Sequence, residues 1–260
     1  MIDYVKHLVR ESARFGDVLR DAPADVVVPT CPEWTSDDLL WHLGWVQYWW
    51  ATVVRDKLGG SAAKELVPER PGGRDRLIAF FRDSSRLLAD QLAANADDTA
   101  AWTWSDDQTV GFIRRRQAHE ALIHRVDAEL ATKTRTPMDT ALCVDGVDEA
   151  LRVMYSALPA WGTFTPDPTK NLRFTTTDTG DTWLVTLGRF TGTDPDGTSY
   201  DEPDFHPAQE QDAQAMAEIR GTAADLDCWL WHRPPVGTID KSGDEDLLRL
   251  FDATIAPGIN

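Results

Sequence analysis

The chain has 260 residues, a formal net charge of −17 and a pI near 4.6. This negative charge would repel phosphate backbones and anionic lipid headgroups, so nucleic acid and membranes are excluded as predicted partners. Hydrophobic residues make up 42% of the chain, which is enough for a sizeable core. No run of apolar residues is long enough to span a membrane. The three cysteines form no C-x-x-C pair, which indicates a reducing compartment, and we expect a soluble, cytoplasmic protein.

Residues 1–160 are predicted to form a mainly helical domain. Apolar residues recur at helical spacing over residues 4–19, and a proline-containing loop over residues 21–34 ends this helix. A second helix is predicted to follow Thr35, whose hydroxyl can cap it. Further helices are predicted over residues 74–94, from about residue 109, and over about residues 140–158. Helices of this length joined by loops favour an antiparallel bundle.

Residues 165–260 are predicted to form a smaller α+β domain. Pro166 and Pro168 indicate a linker before it. Two β-prone segments, residues 172–177 and 183–187, flank a glycine-containing turn and predict a hairpin. An acidic loop is predicted over residues 194–212, and helices over residues 221–231 and from about residue 244. The predicted fold class is therefore α+β, a helical bundle followed by the smaller domain.

A carboxylate and an imidazole lie four residues apart, at Glu120 and His124. On a helix these side chains are separated by about 40° and share one face. His42, in the second predicted helix, supplies a further donor if the two helices pack together. Two ligands from one helix and one from a facing helix can form a metal site with an open position. We therefore consider His42, Glu120 and His124 as ligands of a divalent metal, and these ligand types suit zinc, nickel or iron about equally well.

His119 is excluded from this set by helical geometry. It lies about 140° from His124 around the helix, and the H-E-x-x-H motif of metalloproteases would need the second histidine one residue earlier. Glu120 and His124 also have an ordinary interpretation, as a polar pair on a solvated face with His42 an unrelated core histidine. Spacing alone favours that interpretation. Arg125 and Asp127 are interpreted as surface charges or as salt bridges within the bundle.

Five segments together resemble the mycothiol-dependent maleylpyruvate isomerase family, which belongs to the DinB-like metal-binding bundles. The segments are residues 28–35 (VPTCPEWT), 38–44 (DLLWHLG), 119–129 (HEALIHRVDAE), 178–183 (DTGDTW) and 221–231 (GTAADLDCWLW). Each is a weak signal alone, but their order and spacing are fairly specific, and they extend over nearly the whole chain.

The resemblance implies a DinB-like four-helix bundle followed by a smaller α+β domain. It also implies a metal, zinc by preference, held by His42, Glu120 and His124, and a substrate-binding arginine at Arg233. Two positions depart from the family pattern. Gln47 stands where relatives often have histidine, and His232 stands where relatives often have glycine before the arginine.

Three functions are compatible with these features. The first is a thiol-dependent isomerase or S-transferase, with mycothiol as the implied thiol and a small electrophilic molecule as substrate. There the metal would lower the thiol pKa, the thiolate would add to carbon, and bond rotation with thiol loss, or release of the adduct, would follow. Arg233 could bind a substrate carboxylate. The alternatives are a metal-dependent hydrolase without a thiol, or a non-catalytic binding or regulatory module.

Overall fold

The computed structural model describes residues 2–210 and 212–259. Their contacts divide the chain into two compact units, one ending at Pro137 and the other beginning at Met138. Helices form the first unit, whereas the second combines helices with a five-stranded sheet. The predicted α+β fold class is therefore confirmed.

The first unit is a bundle of four long helices. They are α1 (Tyr4–Arg20), α2 (Ser36–Asp56), α4 (Arg74–Ala94) and α5 (Val110–Thr132), with a short α3 (Gly60–Glu65) in the predicted loop after α2. Helix α1 packs against α4 and α5, and α2 packs against α4 and α5. Phe15, Leu39, Leu43 and Phe81 meet in the buried core between them. The predicted four-helix bundle is confirmed.

Side-chain caps fix where the two site-bearing helices begin. The Thr35 hydroxyl accepts a hydrogen bond from the Asp38 backbone N–H, and the Asp38 carboxylate accepts one from the Thr35 N–H. This reciprocal capping box stabilises the first turn of α2. The Thr109 hydroxyl accepts from the Phe112 N–H and caps α5 as a single side-chain cap. The two caps therefore fix the first turns of the helices that carry the candidate ligands.

The segment predicted as a loop over residues 21–34 contains two short strands. Strands β1 (Val27–Val28) and β2 (Cys31–Thr35) pair antiparallel. Val28 is fully buried in the bundle core, and Trp34 packs against that core. The three prolines concealed this hairpin, because such short strands leave little periodicity to detect.

The second unit has its helices and a mixed sheet around one core. Helix α6 (Thr140–Glu149) continues into a π-helical turn (Ala150–Met154), and α7 (Ala223–Leu230) and α8 (Glu245–Ile255) follow later. The strands of the sheet are β3 (Gly162–Thr176), β4 (Thr182–Thr193), β5 (Ser199–Pro207), β6 (Ala217–Gly221) and β7 (Asp240–Gly243). Their order in the sheet is β5-β4-β3-β6-β7, with β3 and β6 parallel and the other neighbours antiparallel.

Three expectations for this half of the chain are changed. Pro166 and Pro168 lie within β3 rather than in a linker, where the register to β4 shifts between Pro166 and Asn171. The predicted acidic loop contains β5, an edge strand. Val147 and Leu151, in the segment assigned to the first domain by sequence, are buried with Phe174 of the second unit. The contacts therefore group α6 with the sheet.

Within the described ranges, no helix combines the length and apolar character needed to cross a membrane.

Candidate metal centre

Three potential metal ligands meet between α2 and α5. His42 projects from α2, and Glu120 and His124 project from adjacent turns of α5. One donor atom from each lies within 4.8 Å of the other two. The structure thus brings together the three residues singled out in the sequence, although 78 positions separate His42 from Glu120.

The two distances from Glu120 to the histidine nitrogens are close to the edges of a tetrahedral metal site. Glu120 Oε1 lies 3.4 Å from His42 Nε2 and 3.2 Å from His124 Nε2. Metal bonds to histidine nitrogen and carboxylate oxygen of about 2.0–2.2 Å imply edges of about 3.3–3.6 Å between tetrahedral ligands. Two imidazole nitrogens and one carboxylate oxygen are also a common ligand set for catalytic zinc. The donor set therefore fits a divalent metal with one position open.

The site is partly open to solvent on the His42 side. The His42 side chain is 27% exposed, whereas those of Glu120 and His124 are 18% and 10% exposed. The Trp34 ring packs against His42, with ring centroids 4.7 Å apart, and lies 6.5 Å from the ring of His124. The aromatic ring packs against one side of the imidazoles, and His42 is the most exposed of the three side chains.

Charged and hydrogen-bonding neighbours keep Glu120 ionised although its side chain is largely buried. Burial raises the pKa of Glu120, but the charge of His124 and hydrogen bonds from both imidazoles outweigh it and hold the pKa well below its usual range. The second oxygen, Oε2, lies 3.3 Å from Nη2 of the buried Arg116. Arg116 thereby leaves Oε1 directed at the two histidines.

The two histidines differ in their affinity for a proton. Burial lowers the pKa of His42. Burial also lowers the pKa of His124. The negative charges of Glu120 and Asp127 and their hydrogen bonds to the imidazole have the larger effect, and they raise the His124 pKa to about 9. In the metal-free protein, His124 therefore carries the proton at neutral pH. Binding of a metal ion at Nε2 would require loss of this proton, so metal affinity would rise with pH up to about 9.

Asp127 is a buried partner of the site that the sequence did not identify. Its Oδ2 lies 2.9 Å from His124 Nδ1, and its Oδ1 accepts a hydrogen bond of 2.6 Å from the Thr30 hydroxyl. Its side chain is fully buried, so of the two interpretations the surface charge is wrong and the salt bridge within the bundle is confirmed. The only sequence signal was its spacing of three residues from His124, which places both on nearby parts of one helix face.

His119 and Gln47 lie outside the ligand group. His119 is 1% exposed, and its ring packs edge-on to Tyr4 at 6.3 Å between centroids. Gln47, at the position where relatives often have histidine, is fully buried and donates a hydrogen bond of 2.8 Å to the Ser12 hydroxyl. Both residues contribute to the core of the bundle.

In the second unit, Arg233 follows a tight helix C-terminus. The Arg233 N–H donates to the Cys228 carbonyl, and the His232 N–H donates to the Trp229 carbonyl. This is the Schellman pattern, whose first residue past the cap adopts the left-handed conformation that favours glycine. His232 has that conformation, with φ of 60°. The glycine common in relatives is thus replaced by a residue that tolerates the same turn.

Arg233 borders a cavity of about 670 Å³ in this unit. Trp229, His232, Lys241 and Asp252 also line it. Lys241 Nζ donates to both carboxylate oxygens of Asp252, at 2.6 and 2.7 Å, and lies over the Trp229 ring. The Arg233 Nη1 donates to the Trp231 carbonyl. The cavity is therefore lined by a guanidinium that hydrogen-bonds to the backbone and by an aromatic ring.

The fold and the site together define a two-unit α+β protein whose helical bundle contains a candidate three-ligand metal centre. A family model described as the mycothiol maleylpyruvate isomerase N-terminal domain matches residues 5–129, and one described as the MDMPI C-terminal domain matches residues 141–250. The chain belongs to the mycothiol-dependent maleylpyruvate isomerase family, as the sequence motifs predicted.

Two solved structures resemble this chain over most of its length. A crystal structure of the mycothiol-dependent maleylpyruvate isomerase has a TM-score of 0.58 and 13% sequence identity, with 93% of each chain covered. A crystal structure of a histidine-to-alanine mutant of that isomerase has the same TM-score and coverage at 12% identity. Identities this low establish similarity of fold. No curated protein matches the chain significantly.

Proposed function

We propose that this chain is a metal-dependent enzyme that uses a low-molecular-weight thiol, mycothiol by analogy with its relatives, to isomerise a small electrophilic substrate or to transfer the thiol onto it. The observation that carries the proposal is the convergence of His42, Glu120 and His124 within 4.8 Å, in a chain whose two halves both match the family. Zinc is the proposed metal, and the cytoplasm the proposed location.

Each residue of the centre has a defined task in this proposal. A divalent metal bound there would lower the pKa of a thiol, so that the thiolate predominates at neutral pH. Glu120 supplies a full negative charge, since its pKa is held well below the usual range. His124 and His42 complete the ligand set, and the partial exposure of His42 leaves room for a ligand to enter. Trp34 limits that opening on one side.

The proposed function predicts turnover that depends on both the thiol and the metal. Protein reconstituted with zinc would be assayed with maleylpyruvate, the substrate in the name of its relatives, and with other small unsaturated acids, each with and without mycothiol. We expect product only when both metal and thiol are present. Loss of activity after chelation, restored by added metal, would support the metal requirement.

Two outcomes of that assay would overturn the proposal. Turnover of a substrate by metal-loaded protein without any thiol would identify a hydrolase or a related enzyme that uses metal-bound water. Equal turnover by chelator-treated and metal-loaded protein would remove the metal from the reaction. A chain that binds neither metal nor thiol would be a non-catalytic module.

Arg233 is proposed to bind a substrate carboxylate. Replacement by alanine is expected to lower kcat/KM for a carboxylate substrate by about 10–100-fold, because charge-assisted hydrogen bonds contribute about 1.5–3 kcal/mol. The loss should lie mainly in KM, with metal content unchanged. Arg220→Ala is the matched control, since Arg220 is a half-exposed arginine of the same unit. A kcat/KM for Arg233→Ala within twofold of wild type would contradict this role.

A further inference from the structure

A continuous chain of hydrogen-bonding groups lies behind the candidate metal centre. It leads from Thr30, in the turn between β1 and β2, to Asp127 and then to His124 on α5. The Thr30 hydroxyl lies 2.6 Å from Asp127 Oδ1, and Asp127 Oδ2 lies 2.9 Å from His124 Nδ1. Asp127 is fully buried, so these contacts act in a region of low dielectric.

The geometry determines which nitrogen of His124 can face a metal. An ionised carboxylate only accepts hydrogen bonds, so a contact of 2.9 Å to Asp127 requires a proton on Nδ1. In the neutral imidazole, the nitrogen without a proton is then Nε2, which lies 3.2 Å from Glu120 Oε1. The tautomer that satisfies Asp127 is therefore also the one that offers a lone pair to the ligand group.

Thr30 fixes the orientation of this carboxylate. Its hydroxyl donates to Oδ1 and leaves Oδ2 for the imidazole. The contact joins residues 97 positions apart and ties the β1–β2 hairpin to α5. The same hairpin provides Trp34, which packs against His42. The hairpin thus supports both imidazoles, one through a hydrogen bond relay and the other through ring packing.

We infer that Asp127, oriented by Thr30, is a positioning residue that holds His124 with Nε2 available to a divalent metal and increases its strength as a ligand. Carboxylates that accept from the far nitrogen of a metal-bound histidine typically account for about 10–100-fold in metal affinity. The inference rests on the proposed metal dependence and assigns to Asp127 and Thr30 a task within it.

The decisive variant is Asp127→Asn, which preserves the size of the side chain. With Thr30 still donating to the amide oxygen, the amide nitrogen faces His124 Nδ1 as a donor. That contact favours the opposite tautomer, with the proton on Nε2. We expect the Kd for zinc, measured by competition with a chromophoric chelator, to rise about 10–100-fold. The visible spectrum of the cobalt-loaded variant should also change, because ligand orientation shifts.

Thr30→Val and Glu129→Gln complete the design. Thr30→Val removes the donor to Asp127 and should raise the zinc Kd less than Asp127→Asn. Because Thr30 acts through Asp127, the double variant should bind zinc no more weakly than Asp127→Asn alone. Glu129 is a fully buried carboxylate on the same helix that pairs with Arg14 and Arg125. Its replacement should lower stability and leave the zinc Kd within twofold.

The outcomes separate this inference from the proposed function. All Kd values are measured without thiol or substrate, so turnover does not affect them. If the wild-type chain shows no measurable zinc affinity, the proposed function itself fails. If the wild type binds zinc and Asp127→Asn binds it within twofold, while only its melting temperature falls, the positioning role is overturned. If Asp127→Asn does not fold, an unchanged Kd in Thr30→Val overturns the role instead.

Discussion

Replacing His42 by alanine is expected to weaken zinc binding by more than about 100-fold and to abolish thiol-dependent turnover. His42 is the only member of the ligand group on α2, and its Nε2 lies 3.4 Å from Glu120 Oε1. Partners beyond the ligands account for about 10–100-fold in metal affinity, so loss of a ligand should exceed that range. Stability should change little, because the side chain is partly exposed. The Kd for zinc and the rate of thiol-dependent turnover, each compared with wild type, would measure the loss of binding and the loss of activity.

His119→Gln is the matched control for this prediction. His119 is a nearly fully buried histidine beside Glu120, and it lies outside the ligand group. We expect the control to retain zinc and turnover while losing some stability through altered packing. Unchanged zinc affinity in His42→Ala, or an equal loss in both variants, would contradict the assignment of His42.

Replacing Arg125 by methionine is expected to lower the free energy of unfolding by about 3–5 kcal/mol. Arg125 lies between two carboxylates, with Nε 2.6 Å from Glu11 Oε2 and Nη1 3.0 Å from Glu129 Oε2. All three side chains are at most 4% exposed. Removing the guanidinium takes away the buried cation that both carboxylates share, and breaking a buried ion pair from one side is strongly destabilising. Arg10, 2.8 Å from Glu11, and Arg14, 2.8 Å from Glu129, compensate in part.

Thermal unfolding followed by circular dichroism would measure this loss. A change of that size corresponds to a fall of about 10 °C in melting temperature for a chain of this length. Arg82→Met is the control, because the Arg82–Asp83 pair is exposed and should contribute less than about 1 kcal/mol. A fall in Arg125→Met no greater than in the control would show that the buried cluster does not stabilise the bundle.

The helices were predictable because their signals are local. The hydroxyls of Thr35 and Thr109 cap the helices that follow them, and the structure places α2 and α5 at those caps. Apolar residues at helical spacing then indicated which face enters the core. These signals depend only on residues within one or two helical turns, so they can be read from a single sequence without knowledge of the tertiary fold.

The first half of β3 and all of β5 were harder to predict because prolines obscured them, whereas the hairpin of residues 172–177 and 183–187 was predicted and is present. Pro166 lies where the β3–β4 register shifts, and Pro203 and Pro207 lie in β5 at the edge of the sheet. Proline is tolerated at bulges and in edge strands, where a missing N–H breaks no ladder. Whether a proline marks a linker or an edge strand depends on which strands pair. That pairing is a property of the tertiary fold.

The residues of the candidate metal centre could be predicted only partly from the sequence. The spacing of Glu120 and His124 placed them on one helix face, but spacing alone favoured an ordinary polar pair. The meeting with His42 depends on how α2 packs against α5, and it was inferred through the family resemblance. Asp127 and Thr30 were not identified, since their roles follow from burial and from a contact across 97 positions.

Anomalous diffraction from crystals of zinc-loaded protein would show directly whether His42, Glu120 and His124 hold a metal. We expect one zinc peak per chain, at about 2.0–2.2 Å from His42 Nε2, Glu120 Oε1 and His124 Nε2. The peak should be missing from crystals of His42→Ala prepared in the same way. A zinc peak bound by other residues, or no peak between α2 and α5 at saturating zinc, would show that these residues do not form a metal site.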